Sequence, residues 1–469
     1  MTDTAPAGEN DRGETYDRVS INPPLPNLLD PGNGTAILVR GSFARPVRCP
    51  GRLTVTINDC AVRADWRLSC LGQQPVIEFW AVVRLAAHLT ECRIGLKDAS
   101  ARRHTAGMEL GVIRLERTRH GQLGDGPATP ANPLVAICMT TYNPPRELLS
   151  RQIASIKAQT YENWTCLITD DNSEPATLTL ICDLTGDDER FHLYALPDRV
   201  GYYRNFERCL GKVPGGVHLI ALADQDDYWH PDKLEKLISA LGPGDTLVFS
   251  DMNIVDEERR LVSKTYWTTR RNNFERLDLL IVANSVTGAS TMFRRSLLEH
   301  ILPFPDQTDW SFHDHWIAVV ALALGTLAYV DEPLYDYVQH GGNVIGYANN
   351  QNGTAGRRLS TLRRWWDHLK AGRKPNLDFW RDVYTNDVLR LRIIAETVLL
   401  RLDGKLDRRR RAILHRFAVL DRSLISAAWL VARAALNLAG PNYTVFAENR
   451  LLRGVIWRAL PNRSCRQAS

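Results

Sequence analysis

The tightest constraint on this chain lies between Leu134 and Asp227, where short apolar runs alternate with helical patterns. Leu134–Met139 is apolar, Pro144 and Pro145 follow it, and a helical pattern runs from Arg146 to Gln159. Trp164–Thr169 is a second run and Phe191–Leu196 a third, and Tyr202–Leu210 reads as a helix ahead of a fourth run, His218–Ala223. Strands alternating with helices bury both faces of a sheet, so the pattern predicts a mostly parallel α/β sheet.

Ligands of such sheets bind at the carboxyl ends of the strands. Here those ends carry Thr140-Thr141-Tyr142-Asn143, Asp170-Asp171-Asn172-Ser173 and Asp224-Gln225-Asp226-Asp227. No GxGxxG follows the first run and no GxxxxGK[ST] occurs, which disfavours a dinucleotide dehydrogenase and a P-loop NTPase. Three carboxylates within four residues repel one another unless a cation sits between them, and hard oxygens suit Mg²⁺ or Mn²⁺. The competing reading is a solvated acidic turn ahead of the helix near Pro231-Asp232.

The remaining segments have different patterns. The 469 residues suggest about three domains. Residues 1–34 read as a flexible leader without a secretory h-region. Residues 35–118 alternate with period two in Arg52–Ile57 and again at Val62, Ala64, Trp66 and Leu68, with a turn at Asn58-Asp59, which predicts an all-β sandwich. A Gly- and Pro-containing linker spans 119–132, the α/β domain 133–350, and a basic helical region 351–469. Nine cysteines, scattered and never spaced CxxC, suit a reducing cytoplasm better than a disulfide scaffold or zinc finger. Residues 355–469 hold 24 Lys+Arg against 9 Asp+Glu, although the whole chain is only +5. Such a region suits an anionic partner, and it contains no nucleic-acid-binding motif.

With these residues in place, the chain resembles glycosyltransferase family 2, the inverting GT-A fold enzymes, and within it the bacterial rhamnosyltransferase-like members. The resemblance rests on Val135–Asn143, Leu167–Ser173, Ala223–Trp229, Gly288–Met292, His313–Trp316 and Tyr337–Val344, six blocks in the family's order. It implies a GT-A sheet flanked by helices and a sugar transferred from a nucleoside diphosphate donor, with rhamnose the leading sugar. Thr140 and Tyr142 would line the base pocket, and Asp171 would hydrogen-bond the base. Asp226 would ligate Mg²⁺ or Mn²⁺ with Asp224 beside it, and His340 would lie over the diphosphate. Arg204 would reach a phosphate, Trp229 and His313 would face the acceptor, and Asp314 would be the catalytic base.

Each role has a structural rival. Asp171 suits a turn or helix cap, Tyr142 packs as an aromatic, and His340 is an ordinary loop histidine. Asp314 suits the N-cap of the apolar helix Ile317–Leu324. The expected acceptor is a glycan or lipid-linked glycan of cell-surface polysaccharide synthesis, reached from the cytoplasm or the inner membrane face. A non-catalytic sugar-nucleotide or glycan-binding module would keep the same fold, and a glycoside hydrolase would pair Asp226 with Asp314 and need no nucleotide. For Leu424–Ala439 two placements compete: an apolar face lying on an anionic membrane surface, or one packed on the catalytic domain with arginines in solvent.

Overall fold

The computed structural model describes residues 19–44, 52–58, 60–71, 74–98, 108–117, 130–267, 272–308, 310–341, 376–439 and 444–460. The leader up to residue 18, linker residues 118–129, Gly342–Val344 beside His340, and Trp365 and Trp366 lie outside them. The chain forms two compact units, Met1–Thr118 with Ala459–Ser469, and Arg119–Arg458.

In the first unit the strands are β1 (Ser20–Ile21), β2 (Leu28–Leu29), β3 (Thr35–Ala44), β4 (Leu53–Ile57), β5 (Cys60–Arg63), β6 (Asp65–Leu71), β7 (Gln74–Leu85), β8 (Glu91–Asp98) and β9 (Met108–Leu115). They form two sheets, ordered β1-β3-β7-β6 and β2-β9-β8-β4-β5. Period-two alternation turns one face of each sheet inward. Ile37, Val39, Ile77, Phe79 and Val83 from the first meet Leu53, Val55, Ile94, Leu96 and Ile113 from the second in one core. That is a β-sandwich. Of the expected turn, Asn58 has φ 49°, a value Asn tolerates, and Asp59 lies outside the described residues.

The second unit begins with β10 (Val135–Thr141), α1 (Arg146–Lys157), β11 (Trp164–Asp170), α2 (Pro175–Thr185), β12 (Phe191–Ala195), α3 (Gly201–Leu210) and β13 (Leu219–Ala223). Next come β14 (Tyr228–Trp229), α4 (Lys233–Ala240), β15 (Asp245–Asp256), β16 (Leu261–Ser263), α5 (Leu277–Leu280), β17 (Thr291–Arg294), α6 (Leu298–Ile301), α7 (His313–Leu324) and β18 (Thr326–Gln339). The sheet runs β12-β11-β10-β13-β17-β15-β18-β14, with β16 on β15. The first four strands are parallel and β17 pairs antiparallel with both β13 and β15. From β10 the chain moves outward to β11 and β12, then returns to lay β13 on the other side. That reversal opens a crevice at the carboxyl ends of β10 and β13, where open α/β sheets take their ligands.

Apolar residues on both faces of β10 and β11 explain why they read as continuous runs. Val135, Ile137 and Met139 pack with Leu149, Ile153 and Ile156 of α1, which recur at helical spacing.

The C-terminal helices belong to this second unit. They are α8 (Leu377–Val383), which continues through a π-helical turn at Tyr384–Val388 into α9 (Leu389–Arg401), then α10 (Arg408–Ala418), α11 (Leu424–Ala439) and α12 (Val445–Ala459). Arginines tie them down. Arg401 donates to the carbonyls of His300 and Ile301 at 3.1 and 3.2 Å, and Arg410 to that of Gly325 at 2.6 Å. Buried Asp421 accepts from Tyr384 Oη at 2.7 Å and Arg392 at 3.1 Å, and these neighbours hold its carboxyl below the usual range against the opposing effect of burial.

Candidate active site

The crevice is built on two adjacent acids with different partners. Asp170, fully buried at the end of β11, accepts from Thr141 Oγ1 at 2.8 Å, Ser173 Oγ at 2.6 Å and Ser173 N at 2.8 Å. It locks the ends of β10 and β11 together. Asp171 turns the other way. Its two oxygens accept the N–H groups of Val200 and Gly201, each at 2.8 Å. A carboxylate at a helix N-terminus satisfies orphan donors and complements the dipole. Gly201, at φ 81°, supplies the left-handed backbone that presents its N–H there. The Asp171 carboxylate expected on a nucleotide base is thus engaged with the start of α3.

Thr140 is buried at the crevice floor, and Tyr142 is half-buried above it. The Tyr142 N–H donates to Gln225 Oε1 at 2.8 Å, joining β10 to the acidic loop after β13. The Arg199 guanidinium stands 3.8 Å from the Tyr142 ring centroid. Neither Gln225 nor Arg199 was predicted at this site. Gln225 lay inside the acidic motif and Arg199 in a loop without a pattern.

The acidic loop divides its carboxylates between crevice and core. His340 Nε2 lies 2.8 Å from Asp226 Oδ2, and Asp226 raises the imidazole's affinity for a proton. Asp224 is pushed up to about 7, first by burial, then by the charges of Asp226 and Asp314. Asp227 is buried. Beneath the loop lies Lys233, fully buried, its Nζ donating to the Ala289 carbonyl at 2.6 Å and sitting 3.6 Å from the Trp229 ring centroid. Burial lowers the Lys233 ammonium's affinity for its proton, while Asp227 and Asp224 counter that effect. The crevice side therefore has more negative charge than Lys233 offsets. The chemistry of this donor set suits a hard divalent cation, for which Asp224 and Asp226 would offer oxygens, although no group of three His, Cys, Asp or Glu among the described residues is arranged to hold one.

Asp314 lies in the first turn of α7, where Phe312 occupies the N-cap position without a side-chain cap bond. The cap reading of Asp314 therefore does not hold. Its Oδ1 accepts the His315 N–H at 2.5 Å, and burial raises the carboxyl to about 6 despite that bond and the nearby Arg390 charge. Arg390, from α9, lies 2.7 Å from His315 Nδ1. Tyr202 Oη donates to the Ser311 carbonyl at 2.8 Å, and burial and the Asp314 charge push the phenol up to about 12. Sequence reading missed Tyr202, Lys233 and Arg390, whose neighbours lie far along the chain.

Three expected residues lie elsewhere. Trp229, expected toward the acceptor, is fully buried because β14 pairs with β18, Trp229 opposite Tyr335, and alternation turns the indole into the core. His313, also expected there, is buried and stacks on Phe206 with ring centroids 3.8 Å apart. It fills the space beside Gly288, where a Cβ would come within 2.6 Å of His313 Nε2. Burial lowers His313 to about 3. Arg204, expected at a phosphate, pairs with Glu207 at 2.7 Å and donates to the carbonyls of Phe304 and Pro305 at 3.1 and 3.2 Å. The buried residues of α3 are Tyr203, Asn205, Phe206, Cys209 and Leu210, and Arg204 fastens that helix to the loop after α6.

Comparison with known proteins gives the class of the α/β domain. Residues 136–302 match the Glycosyl transferase family 2 model, and with relatives named glycosyltransferases this makes the protein a transferase enzyme. An uncharacterized glycosyltransferase of Haemophilus influenzae is 27% identical over 237 residues, 48% of this chain and 71% of that protein. The putative teichuronic acid biosynthesis glycosyltransferase TuaG of Bacillus subtilis is 31% identical over 104 residues, covering 22% of this chain and 40% of TuaG. The Escherichia coli UDP-Glc:alpha-D-GlcNAc-diphosphoundecaprenol beta-1,3-glucosyltransferase WfgD is 33% identical over 108 residues, 23% of this chain and 41% of WfgD. Among solved structures, S. aureus TarS 1-349 in complex with UDP-GlcNAc aligns over 72% of this chain and 92% of that one, at 15% identity and a TM-score of 0.41.

Proposed function

We propose that this enzyme is a metal-dependent inverting glycosyltransferase that moves a sugar from a nucleoside diphosphate to a glycan or lipid-linked acceptor in cell-surface polysaccharide synthesis. The reading is supported by the acidic loop after β13, inside the family 2 match, where His340 Nε2 lies 2.8 Å from Asp226 Oδ2 and Asp224 stands two residues before it. The Asp314 charge adds to the rise of the Asp224 carboxyl.

In this reading Thr140 and Tyr142 line the base pocket, and Asp171 borders it while holding the start of α3. Asp224 and Asp226 hold Mg²⁺ or Mn²⁺, which when bound neutralises charge on the leaving diphosphate as a Lewis acid. His340, beside Asp226, orients that carboxylate. Asp314 accepts the proton of the acceptor hydroxyl as its oxygen attacks the anomeric carbon from the face opposite the leaving group. A single displacement inverts the centre and needs no covalent nucleophile.

For the acceptor we extend to this chain the diphosphate-linked lipid in the name of the E. coli relative. For the donor, dTDP-rhamnose is tested first, beside UDP- and GDP-sugars. Calorimetric titration with each nucleoside diphosphate, with and without Mn²⁺, tests the reading. One nucleotide should bind at least about tenfold more tightly with Mn²⁺, and Asp226→Asn should lose that gain. Equal binding with and without the cation would contradict it.

A further inference from the structure

The α11 helix is amphipathic in the reverse of the usual sense. Its inward face holds Ser426, Leu430, Arg433 and Ala434, all buried. Arg433 is the centre of an ion-pair cluster, with Nε 2.7 Å from Glu448 of α12 and Nη1 2.7 Å from Asp278 of α5. Its outward face is apolar. Leu424 is 90% exposed, Ile425 81%, Leu436 73% and Val431 52%. Exposed Ala428, Ala432 and Ala435 fill the stripe between them at spacings of three and four. Of the two placements open from sequence, burial of the apolar face of α11 on the catalytic domain does not hold: Arg433 and Leu430 point inward, while Leu424, Ile425, Val431 and Leu436 point out.

Single exposed apolar side chains are ordinary, whereas a contiguous stripe of this kind marks an interaction surface. The surrounding charge indicates what it meets. From Arg408 to Ala439 the chain has seven arginines and one acid, Asp421. That acid is buried against Arg392. The exposed charges of the α10–α11 pair are therefore mostly basic, with Arg408, Arg409, Arg416 and Arg422 exposed, while Arg410 and Arg411 pair with Asp407 and Asp403 just ahead of α10. Arg416 lies 5.1 Å from the ring centroid of Trp429, a half-buried indole on the flank of α11. A second copy of the chain would bring two arginine-rich rims together, whereas an anionic bilayer offers both a hydrocarbon surface and the opposite charge. The helix has 16 residues, about 24 Å of rise, short of the roughly 30 Å hydrocarbon core. No helix among the described residues is long and apolar enough to cross a membrane.

We propose that the outer face of α11 is a docking surface for an anionic lipid bilayer, lying in the interface with Leu424, Ile425, Val431 and Leu436 inserted and the arginines of α10 on the headgroups. The proposal specifies where the chain meets the membrane and does not depend on the sugar chemistry, because vesicle binding is read without donor or acceptor.

The test uses the full chain and sedimentation with phosphatidylcholine vesicles of graded phosphatidylglycerol content, at low and high salt. Binding should rise with phosphatidylglycerol and fall with salt. Leu424→Gln/Ile425→Gln/Leu436→Gln should lower partitioning by about tenfold or more at unchanged melting temperature. Arg408→Gln/Arg409→Gln/Arg416→Gln should flatten the dependence on lipid charge. If the triple apolar variant melts early, Leu424→Gln alone should still lower partitioning by about threefold. Failure of the unaltered chain to bind strongly anionic vesicles at low salt would overturn the proposal. So would apolar variants that bind as well as the parent, or lipid-free self-association that those variants abolish.

Discussion

At Asp314, burial raises the carboxyl to about 6 while the His315 N–H, 2.5 Å from Oδ1, favours the ionised form. A base in that range is ionised at neutral pH and still accepts a proton readily. Below about 6 the carboxyl is protonated and can no longer take up the proton of the acceptor hydroxyl. The kcat/KM for transfer should therefore be level near neutrality and fall about tenfold per pH unit well below 6. Asp314→Glu should retain an acid limb, while a profile level down to pH 4 would remove Asp314 as the base. Asp171 and Arg204 illustrate how far single residues can be read from sequence. A carboxylate at a strand end suits a ligand and a helix start equally well, and the N–H groups of Val200 and Gly201 show that Asp171 fills the second role, with acceptor capacity left on its oxygens. For Arg204 the deciding partners are carbonyls about 100 residues away, at Phe304 and Pro305, which no local pattern reveals.

At the scale of elements, α7 holds two buried histidines in its first turn. Burial lowers His313 and His315 each to about 3. Unfolded histidine titrates near 6.5, so between about 3 and 6.5 the unfolded chain binds more protons than the folded one. The stability these rings contribute is complete above about 6.5 and is lost as pH falls through that window. From pH 7 to 5 the loss should be on the order of 1–2 kcal/mol per ring, opposed by proton uptake at Asp224 and Asp314, whose carboxyls are raised to about 7 and about 6. It is read as a weaker pH dependence of the melting temperature in His315→Phe than in the parent, and an unchanged dependence would contradict the burial of that ring as neutral. The strands of the sandwich and the runs of β10, β11 and β13 were legible because period and burial agree along each of them. The faces of α11 and β14 were not. Apolar spacing gives a helix an apolar stripe without saying where it points, and α11 is turned by Asp278 and Glu448, one of them 155 residues from Arg433. β14 has only two residues, and its pairing with Tyr335 determines which way Trp229 faces.

Across the whole molecule, the family 2 domain occupies residues 136–302, while Asp314, His340 and Arg390 follow it in sequence. The crevice is completed by α7 and by α9 of the C-terminal helices, so those helices support the site as well as carrying the basic surface. The strand-end acids were legible because short apolar runs fix where strands stop, and Asp224 and Asp226 follow such a run. The supporting groups Lys233, Tyr202 and Arg390 were not, because each hydrogen-bonds a residue brought near by the fold, Ala289, Ser311 and His315 respectively.

The central claim, metal-dependent transfer with Asp314 as base, is tested most directly by nucleoside diphosphate release. The purified full chain is given a panel of nucleoside-diphosphate sugars and a synthetic polyprenyl-diphosphate-linked glycan. One donor should release its diphosphate, chelator should abolish release and Mn²⁺ restore it, and Asp314→Asn should lower turnover by about 10²- to 10⁴-fold while donor binding persists. Release that continues in chelator, or an Asp314→Asn variant that turns over at the parent rate, would contradict the account.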